Sequence, residues 1–96
     1  MSLDQLQAVV TIAEEGTLIR AARRLHISQP PLTRKVAALE EELGVRLFER
    51  SGRGMALTSA GAVFVGEAMA ILDAVKRAAE AARVSAPAAA RARSPA

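Results

Sequence analysis

The sequence predicts a mainly α-helical fold with three short helices, a two-stranded hairpin and one long helix, in that order. Three observations support this prediction. Apolar residues recur at spacings of three and four along four separate stretches, which is the pattern of one buried helix face. Serine or threonine precedes each stretch and glycine follows the first and third, as expected where helices begin and end. Between the third and fourth stretches, two short segments flank a turn of glycine and arginine, which indicates a β-hairpin.

Composition limits the chain to one small domain with at most an appendage. It has 96 residues, 51% of them hydrophobic, and Phe48 and Phe64 are its only aromatic residues, so the core must be small and aliphatic. The absence of cysteine excludes disulfides and thiolate metal sites. No apolar run approaches the ~18 residues of a membrane span, and the N-terminus lacks the pattern of a signal peptide. We therefore expect a cytoplasmic protein with no membrane contact.

The first two helices are predicted to pack closely and to end in a short turn. Ser2 can cap a helix over about residues 3–15, which Gly16 ends. Thr17 can cap a second helix whose inward face contains small alanines, so that another helix can approach it. A break of about three residues at 26–28 then leads into the third helix. Two short helices joined in this way form a helix-turn-helix.

The segment from Ser28 to Gly44 predicts a third helix with an unusual order of charges. Ser28 favours the N-cap position because its hydroxyl can accept a hydrogen bond from a helix amide. Pro30 and Pro31 suit the first turn, and Gly44 suits a left-handed C-cap. The helix starts with basic side chains and ends with three glutamates, which opposes the macrodipole. Its start is therefore the best candidate for binding an acidic polymer, through Gln29, Thr33, Arg34 and Lys35.

Basic residues are concentrated in the second and third helices. Five of them, and no acidic residue, lie between positions 16 and 35. Such clustering favours an anionic partner, and it favours nucleic acid over a membrane surface. The alternative is a solvated face, and charge alone does not decide between the two. The five residues are Arg20, Arg23, Arg24, Arg34 and Lys35.

The predicted hairpin has the shape of a wing. Residues 45–50 and 55–57 predict two short strands, and the glycines between them can adopt positive φ in a turn. Arg50 and Arg53 lie at or near the tip, where arginines can reach a phosphate or a narrow minor groove. The alternative is that these arginines only keep the hairpin tip soluble and contact no nucleic acid.

The last helix is predicted to be longer than the domain can cover. Thr58 can cap a last helix within residues 59–84, and about 24 helical residues at ~1.5 Å per residue make it roughly 36 Å long. Its apolar positions follow a heptad-like seam over nearly three heptads. We expect the same helix of a second copy to cover this seam, the alternative being a single intramolecular helix with an alanine-rich end. The candidate dimerisation residues are Phe64, Ala68, Ile71, Leu72, Val75 and Ala78.

Two longer motifs resemble a known family. The run AARRLHISQPPLTRKVAALEEELGVRLFER and the later LTSAG closely resemble the N-terminal domain of LysR-type transcriptional regulators, over about residues 1–83. The resemblance implies a winged helix-turn-helix DNA-binding domain over 1–58 and a linker helix over 59–84 that pairs antiparallel in a dimer. Residues 85–96 are expected to be a disordered tail or truncated hinge. The implied DNA-binding residues are Thr17, Ser28, Gln29, Pro30, Pro31, Thr33, Arg34, Lys35, Arg50 and Arg53.

One departure from the family is large. Its members carry a longer C-terminal domain that binds a small-molecule effector and completes a tetramer, and nothing in these 96 residues corresponds to it. We therefore expect a DNA-binding fragment or a short relative, with no cofactor in this chain and no effector site assigned to it.

These observations predict sequence-specific binding of double-stranded DNA by a dimer, with an interrupted inverted repeat as target, in the bacterial nucleoid. The alternative is a protein–protein interaction module with solvated charges, which would not bind duplex DNA at low salt. An enzyme is not expected, because the sequence shows no catalytic triad, paired carboxylates or phosphate-binding glycine loop. His26, the only histidine, is expected to be a turn residue and not a metal ligand.

Overall fold

A computed structural model describes residues 1–52 and 54–88 of the chain. Its order of elements is the predicted one, three helices, a two-stranded antiparallel hairpin and a long helix, so the predicted fold class is confirmed. The elements are α1 (Leu3–Glu15), α2 (Leu18–Leu25), α3 (Gln29–Leu43), β1 (Phe48–Ser51), β2 (Gly54–Leu57) and α4 (Ser59–Ser85).

The first two helices begin and end where their capping residues predict. Ser2 accepts a hydrogen bond from the backbone N–H of Gln5, whose side chain in turn accepts from the N–H of Ser2, which completes a capping box. Thr17 caps α2 by accepting from the N–H of Arg20 at 3.1 Å. His26 ends α2 with a φ of 56°, a left-handed backbone conformation that residues other than glycine rarely adopt. The turn role predicted for His26 is confirmed.

At the start of α3 the expected capping hydrogen bond is absent. Ser28 occupies the N-cap position, but its hydroxyl makes no capping hydrogen bond. The reason is local, because an N-cap side chain bonds the second or third helical N–H, and these positions are Pro30 and Pro31. The prolines fix the helical φ and leave no amide to cap. Gly44 ends α3 with a φ of 74°, as predicted.

The hairpin is shorter than the alternating pattern predicts. The first strand begins at Phe48 instead of residue 45, and Phe48 pairs with Leu57 at one end while Ser51 pairs with Gly54 at the other. The N–H groups of Leu47 and Phe48 donate to the carboxylate of Glu40 at the end of α3. Because the N–H of Leu47 is engaged by α3, strand pairing starts only at the next residue, Phe48.

The core lies around α1, which packs against α2, α3 and the first half of α4. The largest fully buried side chains come from α1, α3 and the start of the hairpin, and Phe48 is the one aromatic residue among them. The last helix contributes Val65 and Ala68. The core is therefore small and aliphatic, as composition predicts. Its largest fully buried side chains are those of Val9, Thr11, Ile12, Leu32, Leu39, Leu47 and Phe48.

The second half of α4 leaves the domain. Thr58 caps this helix by accepting from the N–H of Gly61 at 2.9 Å, and every residue from Asp73 to Ser85 is exposed. The helix ends one residue beyond the predicted boundary. None of the helices in the described ranges is both long enough and apolar enough to cross a membrane.

Candidate nucleic-acid interface

One side of α3 is fixed in the core, and this determines which side chains face outward. Leu32, Val36 and Leu39 are buried, so the helix cannot rotate about its axis without exposing them. Gln29 and Arg34 in the first two turns are exposed. No acidic residue lies in the first turn. The start of α3 therefore presents a polar, cationic surface on a rigidly held helix.

The other predicted residues of α3 lie at the edges of this surface. Pro30 is exposed, whereas Pro31 and Thr33 are half-buried. The Lys35 ammonium lies 4.0 Å from the carboxylate of Asp4, on the side of α3 that faces α1. Part of the Lys35 charge is therefore compensated within the domain.

The hairpin and the start of α2 lie beside the exposed start of α3. A groove between the three elements is lined by Thr17, Gln29 and Arg50, and a second groove between α3 and β1 is lined by Thr33 and Arg50. The structure thus brings together four predicted residues from three separate elements. The prediction for Arg53 falls outside the described residues.

The hairpin is held firmly against the turn between α1 and α2. The N–H of Met55 donates to the carbonyl oxygen of Gly16 at 3.0 Å. Gly54 has a φ of 141°, and a Cβ added to it would lie 2.4 Å from that same oxygen. Only glycine permits this approach. The position of Arg50 relative to α3 is consequently fixed by backbone contacts.

Three of the five clustered basic residues are paired with α1, among them Lys35 through Asp4. Arg24 lies 2.7 Å from Glu14 and 3.3 Å from Glu15, and its hydrogen bond with Glu14 raises the pKa of its guanidinium. Arg20 lies 3.6 Å from Glu15. Within residues 1–52 and 54–88, Arg23 and Arg34 form no ion pair. Fewer basic side chains are therefore unpaired than the sequence suggests, and Arg34 at the start of α3 is one of them.

Sequence reasoning missed two residues beside this surface. Arg46 lines the groove between α3 and β1 together with Arg50, and its side chain is 73% exposed. Positions 46 and 50 share one face of an extended segment, a signal that was available in the sequence. Ile19 is an exposed apolar side chain that lines the other groove. Its exposure depends on how α2 packs, which the sequence does not reveal.

The predicted dimerisation residues fall into two groups. Phe64 and Leu72 pack against the core, and Ala68 is only 1% exposed within the monomer. Ile71 and Val75 are 45% and 43% exposed, and Ala78 is exposed as well. Of the predicted dimerisation residues, those that remain exposed therefore lie in the middle of α4.

No group of three or more metal-ligating residues occurs in the described part of the chain. The structure has two helices joined by a short turn, and the polar start of the second helix is exposed beside a hairpin. These features define a winged helix-turn-helix domain of the DNA-binding class. The family model of bacterial regulatory helix-turn-helix proteins of the lysR family matches residues 3–62. The chain belongs to this family.

Curated relatives and solved structures agree with this assignment. The transcriptional regulator TfdS of Cupriavidus pinatubonensis is 58% identical over 73 residues, which are 76% of this chain and 25% of the relative. ClcR of Pseudomonas putida is 54% identical over 72 residues, 75% of this chain and 24% of the relative. The chain spans about a quarter of the length of these curated relatives.

The most informative structural similarities are to protein–DNA complexes. The crystal structure of the CbnR_DBD-DNA complex is 46% identical with a TM-score of 0.85, covering 91% of this chain and all of that one. The crystal structure of the BenM_DBD/benA site 1 DNA complex is 37% identical with a TM-score of 0.86, covering 90% of this chain and all of that one. The chain is thus a LysR-type helix-turn-helix DNA-binding domain.

Proposed function

We propose that the chain binds double-stranded DNA sequence-specifically as a homodimer, with the start of α3 in the major groove. The observation that carries this proposal is the exposed start of α3 beside the hairpin, with its opposite face locked in the core by Leu32, Val36 and Leu39. A rigid helix of this kind can hold side chains against base edges in a fixed register. The similar chains of known structure that are bound to DNA support it.

Each exposed side chain has a role that its chemistry suits. Arg34 is exposed and unpaired among the described residues, and it can donate two hydrogen bonds to guanine O6 and N7. Gln29 can pair with adenine or bond a phosphate, and Pro30 can contact a thymine methyl group. Thr33 and Arg50 line one groove, and both side chains can bond the phosphate backbone. In this proposal Ser28, Pro31, Thr17, Lys35 and Arg53 support the register of the helix on the duplex.

The middle of α4 is proposed to hold the two copies together. Ile71, Val75 and Ala78 recur at spacings of four and three and are exposed, so one apolar stripe lies open on a helix that has left its own domain. A symmetric dimer presents two recognition helices to half-sites about 34–36 Å apart or a multiple of it, so the target is an interrupted inverted repeat. Phe64, Ala68 and Leu72 then contribute by fixing α4 to the domain.

We also propose a division of labour along the chain. Residues 1–58 bind DNA and residues 59–84 link and dimerise, while any effector binds in a domain beyond the 96 residues. As a bacterial regulator of transcription, the protein acts in the cytoplasm at the nucleoid.

Base discrimination by Arg34 is the sharpest test. Arg34→Ala is expected to lower affinity for the preferred site about 5- to 150-fold, corresponding to ~1–3 kcal/mol for a bidentate contact, and to remove base preference at one position. Arg83→Ala is the matched control, since Arg83 is exposed near the end of α4 and pairs with Glu80. The control should weaken all duplexes slightly and equally. A uniform loss with Arg34→Ala would assign this residue to the phosphate backbone instead.

The dimer is tested separately by sedimentation of the purified chain. We expect a monomer–dimer equilibrium that shifts to monomer when Val75 is replaced by Glu. A monomer at high micromolar concentration in the wild type would contradict the proposed α4 contact. Failure of the wild type to bind any duplex at low salt would favour the protein–protein interaction module.

A further inference from the structure

We propose that Glu40 and Thr58 form a joint that sets the angle between α3 and α4, and thereby the half-site spacing that the dimer accepts. Both residues form hydrogen bonds with the backbone of the short segment 46–48, Glu40 from the end of α3 and Thr58 from the start of α4. The inference rests on the proposed dimeric DNA binding and adds positioning residues to it. Thr58 lines neither groove beside the start of α3, whereas Glu40 lines the groove between α3 and β1 but is not one of the residues proposed to contact DNA.

Glu40 holds the segment from the side of α3. Its side chain is only 14% exposed, and one carboxylate oxygen accepts from the N–H of Leu47 at 2.6 Å and of Phe48 at 3.3 Å. The Arg46 guanidinium lies 3.6 Å from the same oxygen. A carboxylate near the C-terminus of a helix is opposed by the macrodipole, so these donors compensate for an unfavourable position. Glu40 therefore differs from the exposed Glu41 beside it.

Thr58 holds the same segment from the side of α4. Its N–H donates to the carbonyl oxygen of Leu47 at 3.0 Å, and its hydroxyl donates to the carbonyl oxygen of Arg46 at 2.7 Å. The same hydroxyl caps α4 by accepting from the N–H of Gly61 at 2.9 Å. Leu47 is thus bonded through its N–H to α3 and through its carbonyl to α4, and its side chain is buried.

The contact between the segment and α4 leaves no space for adjustment. A Cβ added to Gly61 would lie 2.0 Å from the carbonyl oxygen of Leu47. The first turn of α4 therefore lies directly on the backbone of the segment that Glu40 holds. With bonds on both sides and no gap, the two helices are coupled through one rigid piece of backbone, in addition to the packing of Phe64, Ala68 and Leu72 that fixes α4 to the core.

The length of α4 amplifies small changes at this joint. From Gly61 to Val75 the helix rises ~21 Å at about 1.5 Å per residue. A tilt of ~10° at the joint would displace Val75 by roughly 3.6 Å, close to the ~3.4 Å rise of one DNA base pair. A dimer with a loosened joint should therefore accept half-site spacings that differ by about one base pair. The residues of α3 proposed to contact DNA stay the same.

The test measures affinity for a panel of inverted repeats whose half-sites are separated in steps of one base pair, together with a duplex carrying a single half-site. Glu40→Ala is expected to keep single half-site affinity within about threefold of wild type while the preference for one spacing falls by about tenfold, because simultaneous engagement no longer depends on one geometry. Glu40→Gln should be intermediate, since its amide oxygen still accepts but carries no charge. Glu41→Ala is the matched control and should keep the wild-type profile.

A second pair of variants tests the joint from α4. Thr58→Val removes both bonds of the hydroxyl, whereas Thr58→Ser keeps them, so only the first should flatten the spacing profile. This pair decides the matter if Glu40→Ala does not fold. Retention of the wild-type spacing profile by Glu40→Gln and Thr58→Val would overturn the inference. A wild type that binds no duplex, or one half-site only, would instead reject the proposed dimeric function.

Discussion

Substituting Gly61 by alanine should destabilise the protein, although alanine is the better helix former. The added Cβ would lie 2.0 Å from the carbonyl oxygen and 2.9 Å from the carbonyl carbon of Leu47, and 3.0 Å from a methyl group of Leu57. The first two are backbone atoms and cannot rotate away. Either the first turn of α4 or the segment 46–48 must therefore move.

The size of the effect follows from what that movement disrupts. Overpacking of this kind costs ~1–3 kcal/mol. Displacing the segment also weakens the two hydrogen bonds from Thr58 to it, each worth roughly 0.5–1.5 kcal/mol. Removing a glycine from a helix offsets at most ~1 kcal/mol. We expect a net loss of about 2 kcal/mol in the free energy of unfolding, which for a domain of this size lowers Tm by roughly 8–16 °C.

Gly66 provides the matched control within the same helix. It is exposed, and nothing lies within 4 Å of a Cβ placed there. Gly66→Ala should therefore stabilise the protein by up to ~1 kcal/mol through helix propensity alone. Urea denaturation followed by circular dichroism, at one fixed protein concentration because association shifts apparent stability, measures both variants. Equal stability of the two variants would refute the close approach of α4 to Leu47.

Three further substitutions test the helix ends. Ser28→Ala should change the free energy of unfolding by less than ~0.5 kcal/mol, because the Ser28 hydroxyl caps no helix amide. Thr17→Ala should cost ~1 kcal/mol, because it removes the cap of α2. Denaturant midpoints compare the two variants, and an equal loss of stability would mean that Ser28 does cap α3. His26→Gly should stabilise by about 0.5–1 kcal/mol, because glycine relieves most of the ~1–2 kcal/mol that left-handed backbone costs other residues. A lower Tm for this variant would show that the His26 side chain makes a contact worth more than the strain.

The helices could be predicted from sequence because their signals are local. Ser2, Thr17 and Thr58 each cap the helix that follows, and each bond involves residues only three positions apart. The same rule failed at Ser28 because two neighbouring features, a capping serine and adjacent prolines, exclude each other. The failure shows that a capping residue is informative only together with the amides it would bond.

What the sequence concealed are interactions between elements. Glu40 reads as one of three solvated glutamates, and only the packing of the hairpin shows that it holds Leu47 and delays the first strand. Arg20 and Arg24 read as unpaired until α1 brings its glutamates beside them. Ala68 fits the heptad seam equally well whether it faces a partner or its own domain, and the structure places it in the monomer core.

The central claim is that two copies bind an inverted repeat through the start of α3. Selection of binding sites from a randomised duplex pool, with the affinity of the selected sites followed against salt, tests it most directly. We predict an enriched inverted repeat with one fixed spacing and an affinity that falls steeply with salt through phosphate contacts. Binding without enrichment, or no binding even at low salt, would contradict the claim.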